Sequence, residues 1–164
     1  MIPSTALPEM PAATRAPPFG AIAPILLVED NPMDADLTLR AFAKRKFTNP
    51  VHVARDGEEA LAWLRRWEAG EPTPLVILLD LKLPRVSGLE VLRRIKEDNR
   101  WCNIPVVVLT SSTDDLDVRT AYRLGANSYI VKPVDFDKFM DVATQIEVYW
   151  CALNQPPCID RSAT

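Results

Sequence analysis

At 164 residues, with 48% hydrophobic and 25% charged side chains, the chain has the composition of one ordinary globular domain. A formal charge of -3, with no basic run longer than Lys44-Arg45-Lys46, argues against a nucleic-acid surface, and no apolar run approaches the roughly 18 residues of a membrane span. Cys102, Cys151 and Cys158 are irregularly spaced, so they offer neither a disulfide framework nor a CxxC metal site; with no signal-peptide core, a cytoplasmic protein is expected.

Residues 1–23 are Pro-rich, interleaved with Ala, Ser and Thr, and lack a hydrophobic period, which predicts a disordered tail. Ile25 to Val28 is a short buried strand ending in acid at Glu29 and Asp30. Asn31 and Pro32 then open a helix reaching about Phe47, with Asn31 as N-cap and Pro32 at the first helical position. Val51 to Ala54 is a second strand, whose His52 reads as a structural residue among valines. Asp56-Gly57 turns the chain into a helix over Glu58 to Glu68, where Trp63 and Trp67 are expected to pack.

Leu75 to Gly88 is the stretch on which the chain turns. Five apolar residues between Pro74 and the Pro84 loop read as a central strand buried on both faces, with Asp80 at its end. A helix follows over Leu89 to Asp98, then a strand from Ile104 to Leu109 that leads into Thr110. Ser112 or Thr113 is expected to cap the next helix, Asp114 to Leu124, which Gly125 stops. Ser128 to Val131 is the fifth strand and runs into Lys132 and Pro133. The last helix is predicted from Asp135 to Leu153, with Phe136, Phe139, Met140, Ala143, Ile146 and Trp150 facing the core. Val142, Tyr149 and Leu153 add more apolar surface than one face needs.

Five strands alternating with five helices predict an α/β fold: a doubly wound, five-stranded parallel sheet of the flavodoxin-like kind, strand order 2-1-3-4-5. In such a sheet the strand ends converge at the carboxyl edge, where ligands bind. Glu29, Asp30 and Asp80 meet there, and carboxylates about 4 Å apart repel by roughly 4 kcal/mol at an effective dielectric near 20, so the cluster calls for a cation. Mg²⁺, an oxygen-seeking ion content with few protein ligands, fits. A carboxylate beside Mg²⁺ is also a nucleophile towards phosphorus, with Thr110 and Lys132 placed to hold phosphoryl oxygens.

The segments LLVEDN, LLDLKLPRVSG, VVVLTSS and YIVKP, in that order, resemble the receiver domain of the two-component response regulators over about residues 24–153. The resemblance implies Asp80 as phosphoacceptor, Glu29 and Asp30 as metal acids, Thr110 as switch hydroxyl and Lys132 as the phosphate-pairing cation. It further implies a metal contact from the backbone carbonyl of Lys82, a switching aromatic at Tyr129 and a cis bond before Pro133. The domain would catalyse only its own phosphorylation and dephosphorylation, with a histidine kinase as donor.

The long last helix and the tail over 154–164 look similar to the small single-domain regulators paired with phytochrome-type kinases. A homodimer through Val142, Tyr149 and Leu153 is therefore expected. Output would be a protein contact or onward phosphotransfer to an unidentified partner, because the residues past the last helix are too few for an effector. Two alternatives stand beside this: a haloacid-dehalogenase-like phosphatase, which needs an acid where Lys82 stands, and a receiver-like binding module that is never phosphorylated.

Overall fold

The computed structural model describes residues 22–157. The tail expected over 1–23 therefore lies outside the described residues except at Ile22 and Ala23, as do residues 158–164 of the C-terminal tail. In chain order the elements are β1 (Ile25–Val28), α1 (Pro32–Lys44), β2 (Val51–Ala54), α2 (Gly57–Glu68), β3 (Val76–Leu79), α3 (Gly88–Glu97), β4 (Val106–Thr110), α4 (Asp115–Arg123), β5 (Ser128–Val131) and α5 (Phe136–Ile146). A π-helical stretch, Glu147–Leu153, continues α5. All strand pairs are parallel, in the order β2-β1-β3-β4-β5. No helix among the described residues is long and apolar enough to cross a membrane.

Side chains alternate across a strand, so one apolar run feeds two cores. Leu26, Val28, Ile77, Leu79, Val106 and Val108 join one cluster, which α2 and α3 close with Trp63, Trp67, Val91, Leu92 and Ile95. Ile25, Leu27, Val76, Leu78, Val107 and Leu109 join the other, closed by Ala41 and Phe42 of α1 and by Phe139, Ala143 and Ile146 of α5. The tryptophans pack as expected: the rings of Trp67 and Trp101 meet edge to face at 5.7 Å, and His52 lies against Trp63 at 4.6 Å.

Helix starts follow local chemistry. Asn31 Oδ1 accepts from the N–H of Met33 at 2.9 Å, the expected cap of α1, and an N-cap of this kind stabilises a helix by about 1 kcal/mol. The cap of α4 departs from expectation. Asp114, not Ser112 or Thr113, accepts from Leu116 N–H at 2.8 Å. Ser112 is buried with its hydroxyl donated to Asp117 Oδ2, leaving the exposed carboxylate two residues on to meet the positive helix end.

One further expectation fails in α5 and another is met in part. Phe136 is 55% exposed rather than in the core stripe, because it opens the helix beyond the end of β5, where Val131 and Val134 are exposed as well. Val142 is half-buried against the second cluster, so of the three expected surface residues only Tyr149 and Leu153, 52% and 70% exposed, project outward. Lys96 shows how the loops below the sheet are tied. Its ammonium donates to the carbonyls of Cys102 and Ile104, both at 2.8 Å, and to Asn127 Oδ1 at 3.2 Å. Burial holds its pKa below the usual lysine value.

Candidate functional site

The ladder of the sheet runs one residue past the strands and so places the chemistry. Glu29 N–H donates to Ala54 O at 2.9 Å, Asp80 N–H to Val28 O at 3.0 Å, and Lys132 N–H to Thr110 O at 2.8 Å. Each site residue is thereby hung on the neighbouring strand before its side chain is considered. Glu29, Asp80 and Thr110 are buried, whereas Asp30 is exposed at the mouth.

Lys132 knits the cluster together. Its Nζ lies 2.5 Å from Glu29 Oε2, 3.0 Å from Asp34 Oδ2 and 3.1 Å from Asp80 Oδ2. Burial alone would depress the lysine, but the hydrogen bonds to Glu29 and Asp34 and the charges of Glu29 and Asp80 more than offset it, so its pKa is raised and it stays an ammonium. Burial pushes the Glu29 carboxyl up to about 7 against the pull of Lys132, and the nearby Asp80 charge adds to the rise. The site holds more negative charge than one lysine balances.

Glu29, Asp30 and Asp80 each offer a carboxylate oxygen, and these atoms lie within 4.8 Å of one another. An all-oxygen, partly open set of this size suits a hard divalent cation that keeps several waters. Lys82 is exposed, and its N–H donates to Asp80 Oδ1 at 3.2 Å, steadying the carboxylate. Thr110 Oγ1 accepts from Ser112 N–H at 3.4 Å, and Tyr129 donates its hydroxyl to Ser112 O at 3.0 Å, so Thr110 and Tyr129 grip the same loop residue.

The bond before Pro133 is trans; no cis peptide occurs among the described residues, contrary to the expectation. Trans is the lower-energy isomer of an X-Pro bond by about 0.5–1 kcal/mol, and Lys132 reaches all three carboxylates with it.

The loop after Asp80 is closed by glycine. Gly88 N–H donates to Leu81 O at 2.9 Å, and a Cβ on Gly88 would fall 2.1 Å from Asp80 O and 2.5 Å from Leu81 Cα. Arg85, at φ 65°, reaches across to Asp56 and Glu58 at 3.3 and 3.1 Å. Asp34 is the site residue that sequence reasoning missed. It sits in the first turn of α1, where side chains lean back towards the helix start and hence towards the end of β1, and that position was the available signal.

Comparison with known proteins agrees with this fold. A family model described as the response regulator receiver domain matches residues 25–144. The probable methanogenesis regulatory protein FilR2 of Methanothrix harundinacea is 47% identical over 134 residues, 81% of this chain and 86% of that protein. The phosphorylated cyanobacterial phytochrome response regulator RcpA is 38% identical, with a TM-score of 0.79 over 84% of this chain and 100% of that one. The Mn(2+)-bound form of Rcp1, a response regulator of Synechocystis, is 35% identical, with a TM-score of 0.77 over 83% of this chain and 99% of that one.

Proposed function

Since the chain belongs to the response regulator receiver domain family, we propose that Asp80 is its phosphoacceptor and that a histidine kinase supplies the phosphoryl group. The observation that carries this assignment is the buried Asp80 carboxylate, hydrogen-bonded to Lys132 at 3.1 Å and flanked by Glu29 and Asp30. An Asp80 oxygen attacks phosphorus and the O–P bond forms. The donor's P–N bond breaks, its electron pair going to the imidazole nitrogen. Lys132 stays charged and turns from the carboxylate to a phosphoryl oxygen, and Thr110 gives its hydroxyl to another. Mg²⁺, held by Glu29, Asp30, Asp80 and the Lys82 carbonyl, would supply the positive charge that offsets the incoming phosphoryl group.

Thr110 leaves the Ser112 backbone when it turns to phosphate. Tyr129 is bonded to the carbonyl of the same serine, so the aromatic side chain feels the change. That is the switch proposed here, a local charge event read out at a surface. Treating the protein with Mg²⁺ and acetyl phosphate and mapping the adduct by mass spectrometry tests the assignment. The peptide carrying Asp80 is expected to be modified; modification elsewhere, or none, would overturn it.

The similarity to the phytochrome response regulator RcpA supports a phytochrome-type kinase as donor, and we take the exchange to occur in the cytoplasm. We read the output as a protein contact or onward transfer, and assign the surface of Tyr149 and Leu153, with exposed Val148 beside them, to self-association. Sedimentation at tens of micromolar is expected to show a dimer that Tyr149→Glu with Leu153→Glu converts to monomer. A wild-type monomer, with or without phosphate, would remove the dimer from the reading.

A further inference from the structure

A lysine ammonium has three N–H donors, and in this site each one is taken by a different carboxylate, from Glu29, Asp34 and Asp80. The first two lie just past the end of β1 and in the first turn of α1, close neighbours in sequence; the third follows the end of the adjacent strand, β3. An ammonium spins about its Cε–Nζ bond unless something stops it. Two held donors leave the third only one direction.

We propose that Asp34 is a positioning residue for phosphoryl acceptance. Together with Glu29 it pins two donors of Lys132, so that the third is aimed at Asp80 and, once Asp80 carries phosphorus, at a phosphoryl oxygen. The proposal rests on Asp80 being the acceptor. Glu29 cannot do this alone, because it also belongs to the acidic set with Asp30 and Asp80 and accepts the Asn31 N–H at 3.1 Å. Asp34 stands outside that set, so its oxygen remains with Lys132 whatever cation the set holds. Its own backbone is fixed on both sides: its N–H bonds to the Asn31 cap, and its carbonyl accepts from Thr38 Oγ1 at 2.9 Å.

The rival account is that Asp34 only favours the start of α1, as any first-turn carboxylate does. Asp34→Asn keeps an oxygen acceptor in place and removes the charge, whereas Asp34→Ala removes both. With acetyl phosphate and saturating Mg²⁺, Asp34→Ala is expected to phosphorylate Asp80 about tenfold more slowly. Asp34→Asn should stay at or above the wild-type rate, since a negative charge has left the path of an anion. Half-saturating Mg²⁺, read by calorimetry, should change less than about twofold, given that Asp34 lies outside the metal set.

The readout that a helix-start role would not move is the nitrogen NMR signal of the Lys132 ammonium. It should be visible and slowly exchanging in the wild type and in Asp34→Asn, and lost to fast exchange in Asp34→Ala. Asp36→Ala, whose carboxylate pairs with Arg40 at 2.7 Å, should move neither rate nor signal. An Asp34→Ala protein with the wild-type rate and an intact ammonium signal would overturn the proposal, and so would a rate that rises in both Asp34 variants. Should wild-type Asp80 take up no phosphate, the acceptor reading fails by itself, and the ammonium signal still decides whether Asp34 holds Lys132.

Discussion

Asp80→Asn is expected to take up no phosphoryl group from any donor and, in the presence of chelator, to unfold at a higher urea concentration than the wild type. The first half follows from chemistry: an amide offers phosphorus no anionic oxygen. The second follows from charge. Asp80 shares its corner with Glu29 and Asp30, their oxygens within 4.8 Å, and among the described residues Lys132 is the cation that opposes them there. Like charges at about 4 Å cost roughly 4 kcal/mol at an effective dielectric near 20, and the attraction of one lysine returns a comparable amount for only one of these contacts. A net gain of about 1 kcal/mol is expected, the usual direction when a strained functional charge is removed. Adding Mg²⁺ should reverse the order, since metal bound at a hundred times its dissociation constant stabilises the wild type by about 2.7 kcal/mol and binds the variant less tightly. A lower urea midpoint for Asp80→Asn in chelator would mean that Lys132 outweighs the acidic cluster.

Gly88→Ala is expected to damage fold and site together. The added methyl would lie 2.1 Å from Asp80 O, 2.5 Å from Leu81 Cα and 2.9 Å from Asp80 C, and all three are backbone atoms that no rotamer change can move aside. Either α3 lifts away, uncovering Val91, Leu92 and Ile95, or the Asp80–Leu81 peptide shifts and carries the acceptor with it. Overpacking of this kind costs about 3 kcal/mol. Phosphorylation should also fall by more than the loss of folded protein explains, which labelling normalised to the circular dichroism signal would measure. Gly70→Ala is the control: it has open space around it and a φ of 104°, so it bears only the strain of a left-handed backbone and leaves labelling intact. Equal labelling per folded molecule in Gly88→Ala would separate the loop from the acceptor.

The parts of this protein that were legible in the sequence are those set by short-range rules. An apolar run reads the same buried on both faces whatever surrounds it, so Glu29, Asp80, Thr110 and Lys132 were placed at strand ends before any geometry was known. Asn31 declares itself a cap by type and by the proline that follows. What escaped was decided through space. Asp34 meets Lys132 across 98 positions: the first turn of α1 puts it beside the end of β1, but nothing local says that Lys132 arrives there. Ser112 looked like a cap because serine caps helices, but the fold buried it and gave its hydroxyl to Asp117. Phe136 has helical spacing from Phe139, yet spacing does not say where the sheet beneath the helix stops.

The last helix was expected to run unbroken to Leu153, but after Ile146 it widens into the π stretch, closed by Asn154 N–H on Tyr149 O at 2.6 Å. A ladder with i→i+5 bonds encloses one residue more in each hydrogen-bonded loop than the i→i+4 ladder of an α-helix. The outward aim of Tyr149 and Leu153, with Trp150 and Cys151 turned to the core, is therefore a property of segment length as well as of residue type. A single-residue deletion there that the ladder did not absorb by tightening to α spacing would swing everything after it by about 100°. No substitution does the same. For this stretch the gap column of an alignment carries information that the letters do not, and two chains with identical outward residues but different spacing would present different faces.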